Sequence, residues 1–176
     1  ARDHLKTLIS RNDIKNAFRT ATRAWMDAAN VIFYEAKDDQ NPQFYIQVGD
    51  ISNIDCGDLA NWNGCSPFPH AVEIFHQYYI RINTQGSFGN INEVTGTMVH
   101  ELGHFLGLDH EHARTDASSN ATWANDFQNG DGYAYGNYNP DSIMDYQNSP
   151  YTLFMNNGWL SPGDIETIQA LYGPPK

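Results

Sequence analysis

The sequence is short of positive charge over most of its length. Only 10 of its 176 residues are Lys or Arg, against 21 Asp or Glu, and the formal net charge is −11. Seven of those ten basic residues fall within residues 1–37, and none lies between Arg114 and Lys176. An acidic surface repels phosphate backbones and anionic lipid headgroups. We therefore expect neither a nucleic acid nor a membrane among the partners.

Long apolar runs and cysteines are also scarce. No apolar run approaches the roughly 20 residues that a bilayer-spanning helix needs. The two cysteines, Cys56 and Cys65, enclose a loop rich in Gly, Asn and Asp. A small disulfide-closed loop would suit an oxidising compartment, and two free thiols are the alternative. The length is that of a single domain, so we expect one domain over residues 1–176.

Hydrophobic periodicity predicts three helices. Apolar residues recur at helical spacing from about Asn12 to Asn30. A second helix is expected from about Asn92 to Leu106, where Gly107 would end it. The third should be capped by Ser161 and should end at Gly173.

Runs rich in β-branched and aromatic residues predict strands between the first two helices. They are Val31–Ala36, Phe44–Val48 and Glu73–Asn83. Residues 108–160 show little periodicity and many Asn, Asp, Gly and Tyr, which predicts ordered loop. Long loops of this kind usually carry function or need anchoring.

The chemistry concentrates in the segment from His100 to His110, HELGHFLGLDH. Two helical histidines four residues apart, His100 and His104, project from one face at a separation that suits one Zn²⁺. Gly107 can adopt the left-handed conformation that returns His110 as a third nitrogen ligand. Three protein ligands leave a coordination position open, as in catalytic zinc sites. Glu101 lies beside this face, where it can take a proton from water at the metal.

The alternative interpretation makes the histidines ordinary polar residues of a helix and a loop. It leaves unexplained why Glu101 and Gly107 also fall where the chemistry needs them. The pattern therefore favours a catalytic zinc site.

The segment from His100 to His110 resembles the extended zinc motif of the metzincin metalloendopeptidases. Its continuation His110–Asp116, HEHARTD, is similar to the HExxRxD ending of the astacin subfamily. Downstream, Ser142–Tyr146, SIMDY, is similar to the Met-turn of astacins, SxMHY. The ending Ile168–Pro175 is more similar to the close of a matrixin catalytic domain, and the chain can form only one of the two usual disulfides.

This resemblance implies an α+β fold of the metzincin type. We expect a twisted mixed sheet, an N-terminal helix, an active-site helix and an irregular C-terminal subdomain that ends in a helix. The N-terminal subdomain would extend to about Gly107 and the C-terminal subdomain would cover 108–176, with the cleft between them.

The resemblance also implies the roles of individual side chains. One catalytic Zn²⁺ would be bound by His100, His104 and His110. Glu101 would be the general base and then the general acid, and Met144 would form a hydrophobic floor beneath the histidines. Tyr146 would be a further zinc ligand that can leave the metal and hydrogen-bond the oxyanion. Asp145 stands where astacins usually have His, which leaves its role open.

In astacins the position of Glu111 pairs with the amino terminus of the mature enzyme. The chain begins at Ala1, and we expect its ammonium to reach Glu111 after removal of a pro-segment. The alternative is a chain boundary with a frayed end. Arg114 matches a structural position of the motif, where we expect it to pair with Asp116.

The resemblance implies a secreted, monomeric zinc endopeptidase that binds protein or peptide substrates in extended form. We expect His76–Asn83 to be the exposed edge strand that pairs with the substrate, and an internal strand without that role is the alternative. Residues 147–157 contain no Lys or Arg. We therefore expect a weak preference, or none, for an acidic residue just after the cleaved bond.

Two other functions compete with this interpretation. One is a matrixin- or serralysin-like metzincin, and zinc coordination by Tyr146 would separate the chain from the matrixins. The other is a zinc-holding binding module without catalysis, which would have no need of Glu101. Calcium binding is a weaker hypothesis. Four side chains of one Gly-rich region carry oxygen atoms that could bind calcium, but Asp and Asn are also common in turns, which better explains them. These are Asp126, Asn129, Asp131 and Asp141.

Overall fold

In the residues that it describes, the computed structural model of the protein has three helices and a small sheet. It describes residues 10–37, 40, 42–49, 64–66, 79–83, 90–117, 133–145 and 159–176. The elements in chain order are helix α1 (Arg11–Ala28), strands β1 (Tyr45–Gly49), β2 (Gly64–Cys65) and β3 (Tyr79–Asn83), helix α2 (Ile91–Phe105), a 3₁₀ turn (Glu111–Ala113) and helix α3 (Pro162–Tyr172). The expected α+β class is confirmed, and all three helices lie within a few residues of their predicted bounds.

Helix α1 begins at a reciprocal cap. The Ser10 side chain accepts a hydrogen bond from the backbone N–H of Asp13, and the Asp13 carboxylate accepts from the backbone N–H of Ser10. Its apolar stripe packs on α2 through Trp25, which is 0% exposed and donates from Nε1 to the carbonyl of Val99 at 3.0 Å. The first helix therefore supports α2 from one side.

The sheet is mixed, and β3 lies in its interior. β1 pairs with β3 in parallel and β2 pairs with β3 in antiparallel orientation, in the order β1-β3-β2. The prediction that His76–Asn83 is an exposed edge strand is therefore wrong for its described part, and residues 76–78 lie outside the described residues. The alternation along the segment distinguishes the two faces of a sheet, not its edges. Among the described strands β2 is an edge.

The segment Val31–Ala36 is not a strand, although its composition predicts one. Val31 and Phe33 pack against the core, while Ile32 is 64% exposed and Tyr34 is 84% exposed. The burial alternates as a strand's would, but the segment joins none of the described ladders. Alternate side chains of this segment are therefore half-buried, although the segment pairs with none of the described strands.

Helix α2 lies at the centre of the described structure. Asn90 caps it, and its side chain accepts from the backbone N–H groups of Asn92 and Glu93. Every residue from Val94 to His104 is buried, as expected for a helix surrounded by other elements. No described helix has the length and apolar character that a membrane span requires.

Helix α3 joins the ends of the other two helices. The Gln169 side chain donates from Nε2 to the carbonyl of Ala28, and the Tyr172 hydroxyl donates to the carbonyl of Leu106, each at 2.8 Å. The predicted start at Ser161 and stop at Gly173 are confirmed, since Ser161 caps the helix and Gly173 has a φ of +81°. The division into two subdomains at Gly107 stays a prediction.

Candidate metal centre

Three histidine side chains meet near the C-terminal end of α2. One ring nitrogen from each of His100, His104 and His110 lies within 4.8 Å of the other two. Nε2 of His104 and Nε2 of His110 are 3.0 Å apart. Two nitrogens bound to one tetrahedral zinc ion are about 3.3 Å apart, given the usual Zn–N distance. The spacing therefore suits a single shared ion.

Backbone carbonyls orient two of these rings. Nδ1 of His100 donates to the carbonyl of Ile143 and Nδ1 of His104 donates to the carbonyl of Leu108, each at 2.8 Å. With the proton held on Nδ1, each Nε2 carries the free lone pair that a metal needs. Burial, above all, lowers the pKa of all three histidines. They are therefore neutral, which is the form that binds metal.

A left-handed glycine brings His110 back to the helix. Gly107 has a φ of +98°, and its N–H donates to the carbonyl of His104 at 2.9 Å. The N–H of Glu111 donates to the carbonyl of Met144 at 3.0 Å, which fixes the returning chain. The predicted turn at Gly107 is therefore confirmed.

The Glu101 carboxylate is buried, and its residue adjoins His100 in α2. The side chain follows His100 directly, is 3% exposed, and its Oε2 has no hydrogen-bond partner among the described residues. Burial raises the pKa of Glu101 to about 8. A buried polar atom without a partner is costly, so this oxygen indicates a place for a group that the described residues do not supply. A metal ion with its water is such a group, and the donor set fits zinc.

Sequence reasoning missed one residue of the site, Gly64 in β2. A Cβ placed on Gly64 would lie 2.8 Å from Oε1 of Glu101. The main chain of the edge strand therefore contacts the carboxylate directly. In the sequence this glycine follows Asn63 within the cysteine loop, where it is typical of a turn and gives no signal of its contact.

Met144 packs beneath α2 as expected. It is buried, and a Cβ placed on Gly103 would lie 2.5 Å from its sulfur. Gly103 lies between the helical histidines and allows this close approach. The floor predicted from the Met-turn is therefore in place against the helix that carries His100 and His104.

Comparison with known proteins identifies the family. The family model described as Astacin, a peptidase family, matches residues 80–171, more than half of the chain. The chain belongs to the astacin family. Astacins are zinc metallopeptidases, so the expected astacin-like metzincin and its zinc cofactor are confirmed.

Relatives and a solved structure agree with this family. The chain is 33% identical over 164 residues to serralysin G of Dickeya chrysanthemi, covering 88% of this chain and 32% of that protein. It is 37% identical over 83 residues to zinc metalloproteinase nas-3 of Caenorhabditis elegans, covering 44% and 28%. The chain thus spans about a third of the length of these curated relatives. The structure of myroilysin matches with a TM-score of 0.61 at 21% identity, covering 93% of this chain and 87% of that one, which confirms the fold.

An arginine clamp holds the segment that follows the third histidine of this astacin. Arg114 is 5% exposed and donates from Nε and Nη2 to the two oxygens of Asp116, each at 2.8 Å. It also donates to the carbonyls of Tyr135 and Gly136, at 3.1 and 2.9 Å. The expected pairing with Asp116 is confirmed, and the clamp also ties residues 133–145 to the site.

Replacement of Arg114 by Lys should destabilise the domain by about 2 kcal/mol. Lysine lacks the planar guanidinium group, which here donates hydrogen bonds to one carboxylate and two backbone carbonyls at once. The matched control is Arg23→Lys, because Arg23 forms an exposed pair with Asp27 at 2.8 Å, and such pairs are worth about 0.5 kcal/mol or less. Urea unfolding of both variants measures the difference. Equal losses for the two variants would show that the clamp is no stronger than a surface ion pair.

The carboxylate of Asp145 has a partner within the fold. Asp145 is fully buried and accepts a hydrogen bond from the Tyr138 hydroxyl at 2.5 Å. Burial, and then this bond, raise the pKa of Tyr138 above its usual value. Asp145, at the position where astacins usually have His, therefore accepts a hydrogen bond from a tyrosine. Sequence reasoning missed Tyr138.

Other expectations concern residues outside the described ranges. Tyr146, Ala1 and Cys56 lie there, so the tyrosine ligand, the paired amino terminus and the disulfide stay predictions. Glu111 itself accepts from the backbone N–H of Asn139 at 2.7 Å, and burial raises its pKa. Calcium also stays a prediction, because three of its four candidate ligands lie outside the described residues, namely Asp126, Asn129 and Asp131.

Proposed function

We propose that this astacin is a zinc endopeptidase that hydrolyses internal peptide bonds of proteins. The observations that carry the proposal are the buried Oε2 of Glu101, which has no partner among the described residues, and the three converging histidines, one of which, His100, precedes Glu101 directly in the helix. A site that only held zinc would have no need of this carboxylate. The zinc-holding binding module is therefore the weaker alternative.

The metal would be held by His100, His104 and His110. When bound, zinc polarises the scissile carbonyl and lowers the pKa of its water. The carbonyls of Ile143 and Leu108 keep two of the rings in the orientation that this binding needs.

Glu101 would take the proton of the attacking water and deliver it to the leaving amine. Burial raises its pKa to about 8 before a metal is bound, and a Zn²⁺ ion nearby would lower it towards neutrality. A general acid–base group works best when its pKa is close to the working pH. Tyr146 would donate a hydrogen bond to the oxyanion, as the family resemblance implies.

The substrate would bind in extended form along the sheet edge. β3 is enclosed by β1 and β2, so the described edge closest to Glu101 is β2. Main-chain pairing at an edge binds peptides without demanding one sequence. The absence of Lys and Arg in residues 147–157 supports a weak preference for acidic residues after the cut. We also propose that the protein acts outside the cell as a monomer, with a Cys56–Cys65 disulfide.

Metal removal tests this function. Casein cleavage should fall to background when a chelator strips the protein, and an equimolar amount of Zn²⁺ should restore it while Mg²⁺ should not. The thermal midpoint should fall with the metal, since a ligand bound only to the folded state stabilises it. Cleavage that persists in protein shown by elemental analysis to be metal-free would contradict the proposal.

A further inference from the structure

The edge strand β2 contacts the α2 helix at a buried glycine. Gly64 pairs with Ile82 in the antiparallel ladder. A Cβ placed there would lie 2.8 Å from Oε1 of Glu101, 2.9 Å from Cγ2 of Thr97 and 3.0 Å from the carbonyl oxygen of Arg81. Ordinary van der Waals contacts between such atoms are about 3.4 Å or longer. Only glycine fits at this position without a shift of its neighbours.

We propose that Gly64 is a positioning residue for the general base. Its bare main chain forms one wall of the space that holds the Glu101 carboxylate. Thr97, one helical turn before Glu101 on the same face of α2 and equally buried, forms the neighbouring wall. The inference rests on the proposed function, in which Glu101 must stand at a fixed place beside the metal.

A methyl group at position 64 would displace the carboxylate before it displaced the strand. The Arg81 carbonyl belongs to the main chain of β3, which is paired on both sides. Oε1 of Glu101 ends a side chain with three rotatable bonds, and its Oε2 has no partner among the described residues. The carboxylate therefore offers the least resistance, and it would move by about 0.6 Å to reach an ordinary contact.

A shift of this size matters for catalysis more than for folding. Displacement of a reacting group by about 1 Å can lower a rate by about 100-fold. We expect Gly64→Ala to lower kcat by about 10- to 100-fold while KM and zinc content stay close to those of the unaltered protein.

The sheet offers a matched control in Gly49. This glycine ends β1, and a Cβ placed on it would meet none of the described residues within 4 Å. Gly49→Ala tests the general effect of alanine in a strand of the same sheet. It should leave kcat, KM and zinc content unchanged.

A double-mutant cycle decides whether Gly64 acts through Glu101. Gly64→Ala is made in the unaltered protein and in Glu101→Ala, and urea unfolding and casein cleavage are measured for all four proteins. We expect Gly64→Ala to destabilise the Glu101 protein more than the Glu101→Ala protein, and to lower kcat only where Glu101 is present. If Gly64→Ala alone does not fold, the double variant should fold, because loss of the carboxylate opens a space into which the methyl group can move away from Thr97 and the Arg81 carbonyl.

Three results would overturn the inference. They are additive effects on unfolding, a kcat of Gly64→Ala equal to that of Gly49→Ala, and a double variant that also fails to fold. The unfolding cycle needs no enzymatic activity. If the unaltered protein does not cleave casein, the proposed function fails, while the coupling still shows whether Gly64 sets the place of the carboxylate.

Discussion

Glu101→Gln should lower kcat/KM for peptide hydrolysis by about 1,000-fold and leave zinc bound. The amide has nearly the size of the carboxylate, so the buried space beside the histidines stays filled. It cannot accept a proton from water, and general acid–base catalysis contributes about 100- to 10,000-fold in enzymes. Initial rates on a fluorogenic peptide, together with zinc content by elemental analysis, measure the two expectations.

The control for this variant lies on the same helix. Glu93 precedes Glu101 by two helical turns and accepts a hydrogen bond from the Asn90 side chain at 3.0 Å, away from the histidines. Glu93→Gln should therefore keep its activity. If Glu101→Gln cleaved the peptide as fast as Glu93→Gln, the general base would have to be another group.

Asp164→Ala should destabilise the domain by about 3–5 kcal/mol. The buried Asp164 carboxylate accepts hydrogen bonds from the N–H and hydroxyl of Ser161, each at 2.8 Å, from the Ser142 hydroxyl at 2.6 Å and from the N–H of Ile143 at 3.1 Å. Alanine would leave these buried donors without a partner, and each such donor costs about 1–3 kcal/mol. The thermal midpoint should fall by about 10 °C for a domain of this size.

The same variant should weaken zinc binding, because the Ile143 carbonyl accepts from Nδ1 of His100. Without the Asp164 carboxylate, the backbone of Ile143 is held less firmly, and the orientation of the His100 ring becomes less fixed. Removal of such outer contacts typically lowers metal affinity by about 10- to 100-fold, and competition with a chromogenic chelator measures it. Asp13→Ala is the matched control, since Asp13 completes the same reciprocal cap at the exposed start of α1. Equal midpoints for the two variants would show that Asp164 only caps α3.

Helices and the zinc motif were predictable because their signals are local. The period of apolar residues sets the bounds of α1 and α3, and the spacing of His100 and His104 follows from the helix itself. Gly107 indicates the turn that returns His110. The clamp of Arg114 on Asp116 was also within reach, since the two residues are close neighbours in the chain.

Contacts between distant segments were not predictable. Alternation in Val31–Ala36 records which side chains are buried, but strand formation needs a partner elsewhere in the chain. The interior place of β3 depends on β1 and β2, which its own residues do not reveal. Gly64 lies 37 positions before Glu101, and the local sequence around neither residue indicates that the two are in contact.

The hydrogen bonds that run from His100 to Ile143 and from Ile143 to Asp164 set an order of events during synthesis. The first link spans 43 residues and the second spans 21. The ribosome releases His100 well before the segment that orients its ring, and domains fold as units once their parts have emerged. We therefore expect the nascent chain to present an unoriented His100 imidazole, and to bind zinc selectively only after α3 has docked.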